Sequence, residues 1–385
     1  MTHISGDWLD NPQTKAVCAM LTDAGYQALF VGGCVRNALM GVAVNDLDIA
    51  TDAHPQVVLD LARKVGFQAI PTGIDHGTIT VVSGGIPHEI TTFRKDVETD
   101  GRHAVVAFSS CVEDDARRRD FTMNALYARP DGTVVDPLGG MSDLEARQVR
   151  FIDNAQLRIR EDYLRILRYF RFHAWYGDAS KGMDPDAHAA IAECVEGIAG
   201  LSKERLGAEV LKLLAAPDPA PAVAAMRHAG VLTQVIEGAD DRALAPLVHL
   251  ESLIGAEPDA LTRLAALGGM NVSDRLRLSK KQARQLDKLR DEVASAKSAS
   301  ALAYHHGVHT ARAIMLLRAA LLETPLAQTL MQDLETGAKA VFPIKPQDLM
   351  PAFQGAALGA ELSRLEGLWI SSGFTLTRDT LLSQK

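Results

Sequence analysis

The chain has 385 residues, 47% of them apolar, with 40 Lys and Arg against 48 Asp and Glu for a formal net charge of −8. That length and apolar content support several packed domains. The negative balance excludes a non-specific nucleic-acid coater, because phosphate contacts dominate such binding, and any RNA surface must be a local concentration of basic residues. The first informative segment in chain order is VGGCVRNALMGVAVNDLDIAT, residues 31–51. Gly32 and Gly33 open a short helix that carries Arg36. Adjacent glycines let a backbone approach a phosphate, and a helix N-terminus favours anions. Ten residues beyond Arg36 come Asp46, Leu47 and Asp48, read as a strand whose alternation sets both carboxylates on one face and Leu47 in the core. Neighbouring carboxylates repel unless a cation lies between them, and oxygen-only ligands favour Mg²⁺. A metal site and a phosphate cradle so close together predict nucleotidyl transfer. A dinucleotide site is excluded, since it needs G-x-G-x-x-G and a single acidic residue after the second strand.

HGTITVV (76–82) and HEITTFR (88–94) are β-branched runs separated by Ser-Gly-Gly, which predicts an antiparallel hairpin with Glu89 on a strand beside the aspartates. Glu113, Asp114 and Asp115 read as the acidic first turn of a helix. Arg117, Arg118 and Arg119 follow, and Asp120 and Asn124, four apart, are expected on one helix face. Strands and helices alternate as far as the turn DPLGG (136–140), and helical periodicity dominates beyond about residue 150. In the helix expected from Asp162, Asp162 and Arg165 lie three apart and are therefore surface neighbours. A carboxylate accepts from an exocyclic amine and a guanidinium donates to ring acceptors. Such a pair admits cytosine and adenine while refusing uracil and guanine; the alternative is an ordinary intrahelical ion pair. Leu164, Leu167, Phe170 and Phe172 are assigned to the core.

LSKERLGAEVLKLL (201–214) is a serine-capped helix, and APDPAPA (216–222) marks a break. RLRLSKKQARQLDKLR (275–290) is a basic amphipathic candidate for RNA backbone contact or a solvated face. FPIKP (342–346) is a joint in the Ala- and Leu-rich tail. Cys18, Cys34, Cys111 and Cys194 show no CxxC spacing, and His305 and His309 lack an accompanying HExxH glutamate, so no disulfide framework and no zinc site are expected. The start MTHISGDWLD lacks a charged segment followed by an apolar one, and no apolar run approaches a membrane span. A cytoplasmic protein without membrane contact is expected.

The GGxxR…DxD block, the two hairpin strands, RRRDFTMNALY (117–127) and EDYLRILRYFRF (161–172) come in the order found in the tRNA nucleotidyltransferase and poly(A) polymerase family of bacterial and eukaryotic type, which the chain resembles over roughly its first 210 residues. The resemblance implies an α+β fold: a polymerase-β-like nucleotidyltransferase head with a mixed sheet (1–150), then an all-α region of neck (151–215), body (222–300) and tail (301–385). It implies Asp46 and Asp48 as Mg²⁺ ligands and a third catalytic carboxylate, assigned to Glu89 with Glu113, Asp114 and Asp115 as rival candidates. Gly32, Gly33, Arg36, Arg119, Asp120, Asp162, Arg165, Arg168 and Arg171 are its implied nucleotide-binding residues, with Arg119 near the ribose and Arg36, Arg168 and Arg171 toward the triphosphate. The implied substrates are the tRNA 3′ end, CTP and ATP. The stretch GFQAIPTGIDHGTITVV is not basic, unlike that of poly(A) polymerases, and RKDVETDGRHAVVAF (94–108) resembles a flexible loop kept by CCA-adding and A-adding members. CCA addition is therefore expected, with A-addition or poly(A) synthesis as the alternative. A non-catalytic RNA-binding protein keeping the head fold, or a protein adenylyltransferase, is the reading from a different class.

Overall fold

The β-branched and aromatic runs of the N-terminal region form β1 (Leu29–Val31), β2 (Asp48–Thr51), β3 (Gln68–Gly73), β4 (Thr78–Ser83), β5 (Ile86–Thr92), β6 (Arg94–Asp100), β7 (His103–Phe108), β8 (Tyr127–Ala128) and β9 (Val134–Val135). These coordinates are a computed structural model that describes residues 2–100 and 103–384. Seven of the strands make one sheet in the order β3-β4-β5-β2-β1-β8-β9. Its β2–β5 pair is parallel and its other pairs are antiparallel, so the sheet is mixed, as expected. The predicted hairpin is β4–β5, closed by Gly84 and Gly85 at φ 57° and 82°. Positive φ at both central positions is the turn whose twist matches the flanking strands, and glycine adopts it without strain. Along β4, Ile79, Val81 and Ser83 are buried, and along β5 so are His88, Ile90 and Thr92. That alternation leaves Glu89 on the opposite, exposed face.

β6 and β7 pair as a separate antiparallel ribbon, so most of the segment expected as a loop is extended and hydrogen-bonded; residues 101 and 102 of it lie outside the described residues. Helices Pro12–Thr22 and Pro55–Val65 pack on the sheet, each started by a proline in its first turn, where the missing N–H costs nothing.

Cα packing divides the chain into two units, Met1–Val235 and Ile236–Lys385. After the sheet, the first unit continues as helices, among them Ala155–Glu161, Leu164–Tyr176 and Lys203–Leu214. In Leu164–Tyr176 the assigned core residues Leu164, Leu167, Phe170 and Phe172 are all buried, with Ile166, Tyr169 and His173 beside them.

The described residues of the second unit contain helices and no strand. A buried ion pair joins helices Leu244–Leu253 and Ala260–Leu267, with Arg263 Nη2 2.8 Å from Glu251 Oε2. The expected basic helix starts later than predicted. Arg277 takes φ 48° and interrupts the run, and Lys280–Val293 begins after Ser279, whose hydroxyl and Gln282 form a reciprocal capping box. Gly307, at φ 79°, kinks helix Ala299–Leu322 between His305 and His309. No helix among the described residues is long and apolar enough to cross a membrane.

Candidate active site

β1 ends at Val31, and the chain turns at Gly32 (φ 70°, ψ −117°) into helix Gly33–Leu39. A side chain is disfavoured there twice over. The conformation suits glycine, and an added Cβ would lie 3.3 Å from Arg119 Nη1. The antiparallel register Leu29↔Ala50 and Phe30↔Ile49 brings this turn to the sheet end where β2 starts with Asp48. The Cys34 thiol reaches the Asp48 carbonyl at 3.9 Å from the same helix.

Asp48 and Glu89 are register partners in the parallel β2–β5 pair, so their side chains leave one face of the sheet. Asp46 lies two residues before β2 in irregular chain, not on the strand as predicted, and is exposed, whereas Asp48 and Leu47 are half-buried. The polar run Asn45–Asp46 stays unpaired, and the strand forms only where Ile49, Ala50 and Thr51 can be buried. Burial, then the negative charge of Glu89, and lastly Asp46, push the Asp48 carboxyl above its usual range, with Arg119 opposing them. A bound cation relieves this kind of accumulated negative charge. Among the described residues no three acidic, histidine or cysteine side chains converge as a ready-made metal cage. Asp46 and Asp48, with Glu89 beside them, are the oxygen donors at this sheet end that could hold a metal.

Asp115 is not a rival ligand. It is buried and accepts from Arg118 Nε at 2.9 Å, Arg119 Nη2 at 3.1 Å and the Tyr127 hydroxyl at 2.7 Å. Burial raises its pKa, but the two guanidiniums outweigh this and hold it at about 2. Asp115 thereby fixes Arg119 beneath Gly32.

Asp120 and Asn124 are in contact as expected, though through a 3₁₀ turn (Thr122–Asn124) rather than an α-helix. Asn124 Nδ2 donates to Asp120 Oδ1 at 2.8 Å, and Arg168 approaches Asp120 Oδ2 through Nε at 2.7 Å and Nη2 at 2.5 Å. Asp120 is buried, which raises its pKa, yet Arg168 and Asn124 hold it at about 2. Arg36 donates to Asn124 Oδ1 at 2.6 Å and to the Tyr176 hydroxyl at 2.9 Å. Arg36, Asn124, Asp120 and Arg168 thus form one hydrogen-bonded chain from the glycine-turn helix to helix Leu164–Tyr176.

The expected Asp162–Arg165 helix-surface pair is not formed. Asp162 leaves helical geometry (φ −156°, ψ 104°) between helices Ala155–Glu161 and Leu164–Tyr176. Its Oδ1 accepts from Leu164 N at 3.1 Å, and its Oδ2 takes Arg205 Nη2 at 2.5 Å. An aspartate at a helix start satisfies an orphan N–H, which is why the chain breaks here. Arg165 turns instead to Glu161 and to the Arg158 carbonyl. Arg171 is paired with Glu209 at 2.6 Å. Sequence reasoning missed Arg205 and Glu209, the partners supplied by helix Lys203–Leu214, and also Tyr176. The last had a signal: positions 165, 168, 172 and 176 continue one helix face at steps of three and four.

Residues 28–150 match the family model for the poly A polymerase head domain, and residues 182–242 match the model described as a probable RNA and SrmB-binding site of polymerase A. The mitochondrial CCA tRNA nucleotidyltransferase 1 of Homo sapiens is 32% identical over 398 residues, covering 96% of this chain and 88% of the human one. The CCA-adding enzyme of Geobacillus kaustophilus is 40% identical over 221 residues, 57% of this chain and 53% of that protein. Among solved structures, the Bacillus stearothermophilus CCA-adding enzyme in complex with CTP superposes with a TM-score of 0.72 at 24% identity, covering 97% of this chain and 95% of that one. A Thermotoga maritima CCA-adding enzyme complexed with tRNA gives 0.72 at 17% identity over 100% and 98%. At these identities the two structures speak to the fold.

Proposed function

The chain belongs to the family of CCA tRNA nucleotidyltransferases, and we propose from its site that it adds CCA to the 3′ end of tRNA from CTP and ATP, releasing pyrophosphate at Asp46, Asp48 and the Gly32–Gly33 turn. The single observation that carries the site assignment is the convergence of that turn and the half-buried Asp48, with Glu89 in register, on one end of the sheet. The family generally uses a divalent metal, and the all-oxygen donors favour Mg²⁺. Asp46 and Asp48 would hold the metal, which would supply charge stabilisation at the α-phosphate and a more acidic 3′-hydroxyl.

The remaining work belongs to the chain's own side chains. Arg119, fixed by Asp115, stands where the nucleotide must pass Gly32. Arg36, Arg168 and Arg171 supply positive potential for the triphosphate; Asp120, Asn124 and Glu209 fix their positions, and fixed charges cost no reorganisation during transfer. Asp162 and Arg165 read the base edge, the carboxylate accepting from the exocyclic amine and the guanidinium donating to ring acceptors. For this they exchange Arg205 and Glu161 for the nucleotide, since each is paired with these neighbours. The parts 1–150, 151–215, 222–300 and 301–385 act as head, neck, body and tail. Within the body, Lys280, Lys281, Arg284 and Lys288 are exposed along one helix and offer an RNA backbone the local positive charge that the net −8 denies it elsewhere. A cytoplasmic location belongs to the same proposal.

The test is incubation with Mg²⁺, labelled CTP or ATP, and tRNAs ending in the discriminator base, in C and in CC. CCA addition requires CTP label on the first two and ATP label on the third. Runs of A on every primer would instead favour poly(A) synthesis.

A further inference from the structure

Arg36 is a buried cation whose direct hydrogen-bond partners are all neutral, the nearest carboxylate, Asp120, reaching it only through Asn124. The residue is 6% exposed, and among the described residues no carboxylate forms an ion pair with it. Its hydrogen bonds go to Asn124 Oδ1, to Asn37 Oδ1 at 3.0 Å and to the Tyr176 hydroxyl. Its carbon Cζ lies 4.0 Å from the centroid of the Tyr176 ring and 5.1 Å from that of Phe172. Its Nε is buried without a hydrogen-bond partner. Burying a charge without a directly paired counter-ion is expensive, and such an arrangement persists where the charge has a use. Here the guanidinium lies under the glycine turn, with Nη2 3.9 Å from where a Cβ of Gly33 would be. A carboxylate partner would cancel its field, whereas a phenol ring and amide oxygens hold it in place and leave the field available.

We infer that Tyr176 is a positioning residue for the incoming triphosphate: it holds the Arg36 guanidinium beneath the Gly32–Gly33 turn as a cation with no direct carboxylate partner and so sets the affinity of the site for the phosphate chain. The inference rests on the glycine-turn reading above. Tyr176 itself touches Arg36 and not the reacting atoms. Its influence reaches every nucleotide equally, because the phosphate chain is common to CTP and ATP and carries no base information. Losing the ring frees the guanidinium to swing away, whereas losing the hydroxyl removes one charge-assisted bond and keeps the π face.

The test compares the full-length protein with Tyr176→Leu, Tyr176→Phe and Arg36→Met, reading KM for CTP, ATP and tRNA, kcat, and the inhibition constant of pyrophosphate. Pyrophosphate is the decisive probe, having neither base nor sugar. Tyr176→Leu is expected to raise KM for both nucleotides and the pyrophosphate inhibition constant together, by roughly tenfold, and Tyr176→Phe by about threefold. KM for tRNA should stay within twofold of wild type, roughly the scatter between independent sites. A merely structural role would lower the thermal midpoint or the active fraction without moving the pyrophosphate constant. If Arg36→Met weakens pyrophosphate while neither tyrosine variant does, the inference is overturned and the cradle reading stands. If Arg36→Met also leaves pyrophosphate unaffected, the cradle reading falls and takes the inference with it. Should Tyr176→Leu not fold, Tyr176→Phe decides alone: an unchanged pyrophosphate constant overturns the inference.

Discussion

Replacing Asp120 by asparagine should destabilise the N-terminal unit strongly at neutral pH and much less in acid. Asp120 is buried, holds Arg168 through two contacts of 2.7 and 2.5 Å, and keeps a carboxyl pKa of about 2. An unfolded aspartate titrates near 3.9, so the depressed folded value corresponds to about 2.5 kcal/mol of stability at pH 7. The sign follows from the depression. The stabilisation is complete above the unfolded pKa and is lost as pH falls through the folded one. About half remains near pH 3, and little is left below pH 2. The asparagine keeps the shape and the contact with Asn124 but leaves Arg168 facing a neutral amide. Urea unfolding followed by circular dichroism at pH 7 and pH 3 measures the difference. The expected loss is about 2–3 kcal/mol at pH 7 and about half of that at pH 3. Equal losses at both pH values, or no loss at pH 7, would refute the claim that an ionised Asp120 anchors the arginine helix.

Asp162→Ala should raise misincorporation of U relative to C by about tenfold or more, while turnover with CTP falls less; a drop in turnover with unchanged base choice would show that Asp162 serves only its contacts to Arg205 and Leu164. Changing Lys281 and Lys288 together to glutamine should raise KM for tRNA without altering that for nucleotides and should reduce the dependence of log KM on log salt by about one per lost phosphate contact; an unaltered salt slope would make that helix face a solvated surface. In the second unit, Glu251→Gln removes the carboxylate charge that faces the buried Arg263 and should cost about 3–5 kcal/mol in chemical denaturation, whereas a loss below about 1 kcal/mol would mean that water reaches the pair.

The hairpin β4–β5 was legible because alternation and a double-glycine turn are local signals, and so was the placement of Glu89 beside Asp48, which needs only one further strand pairing. The glycine turn was legible for the same reason. What spacing could not show is where a helix stops. Asp162 and Arg165 stand three apart in a run that reads as continuous, yet Asp162 uses its carboxylate to cap Leu164 and leaves the helix. The ion pairs of Asp115 with Arg118 and Arg119, three and four residues on, lay within reach of helical spacing, whereas its enclosure by the Tyr127 hydroxyl comes only from tertiary packing. Arg205, Glu209 and Tyr176 were missed because their partners lie 38 to 140 residues away in the chain. No local periodicity registers such distances.

The most direct measurement is the rate of labelled CTP incorporation into tRNA lacking its 3′ end, in Mg²⁺, for the wild-type protein, Asp46→Asn and Asp48→Asn. Removing either carboxylate charge should reduce turnover by roughly a thousandfold or more, in line with the loss of a group acting at the transition state, while each folded variant still binds tRNA. Incorporation by Asp48→Asn at a rate close to wild type would contradict the assignment of this sheet end as the site of nucleotidyl transfer.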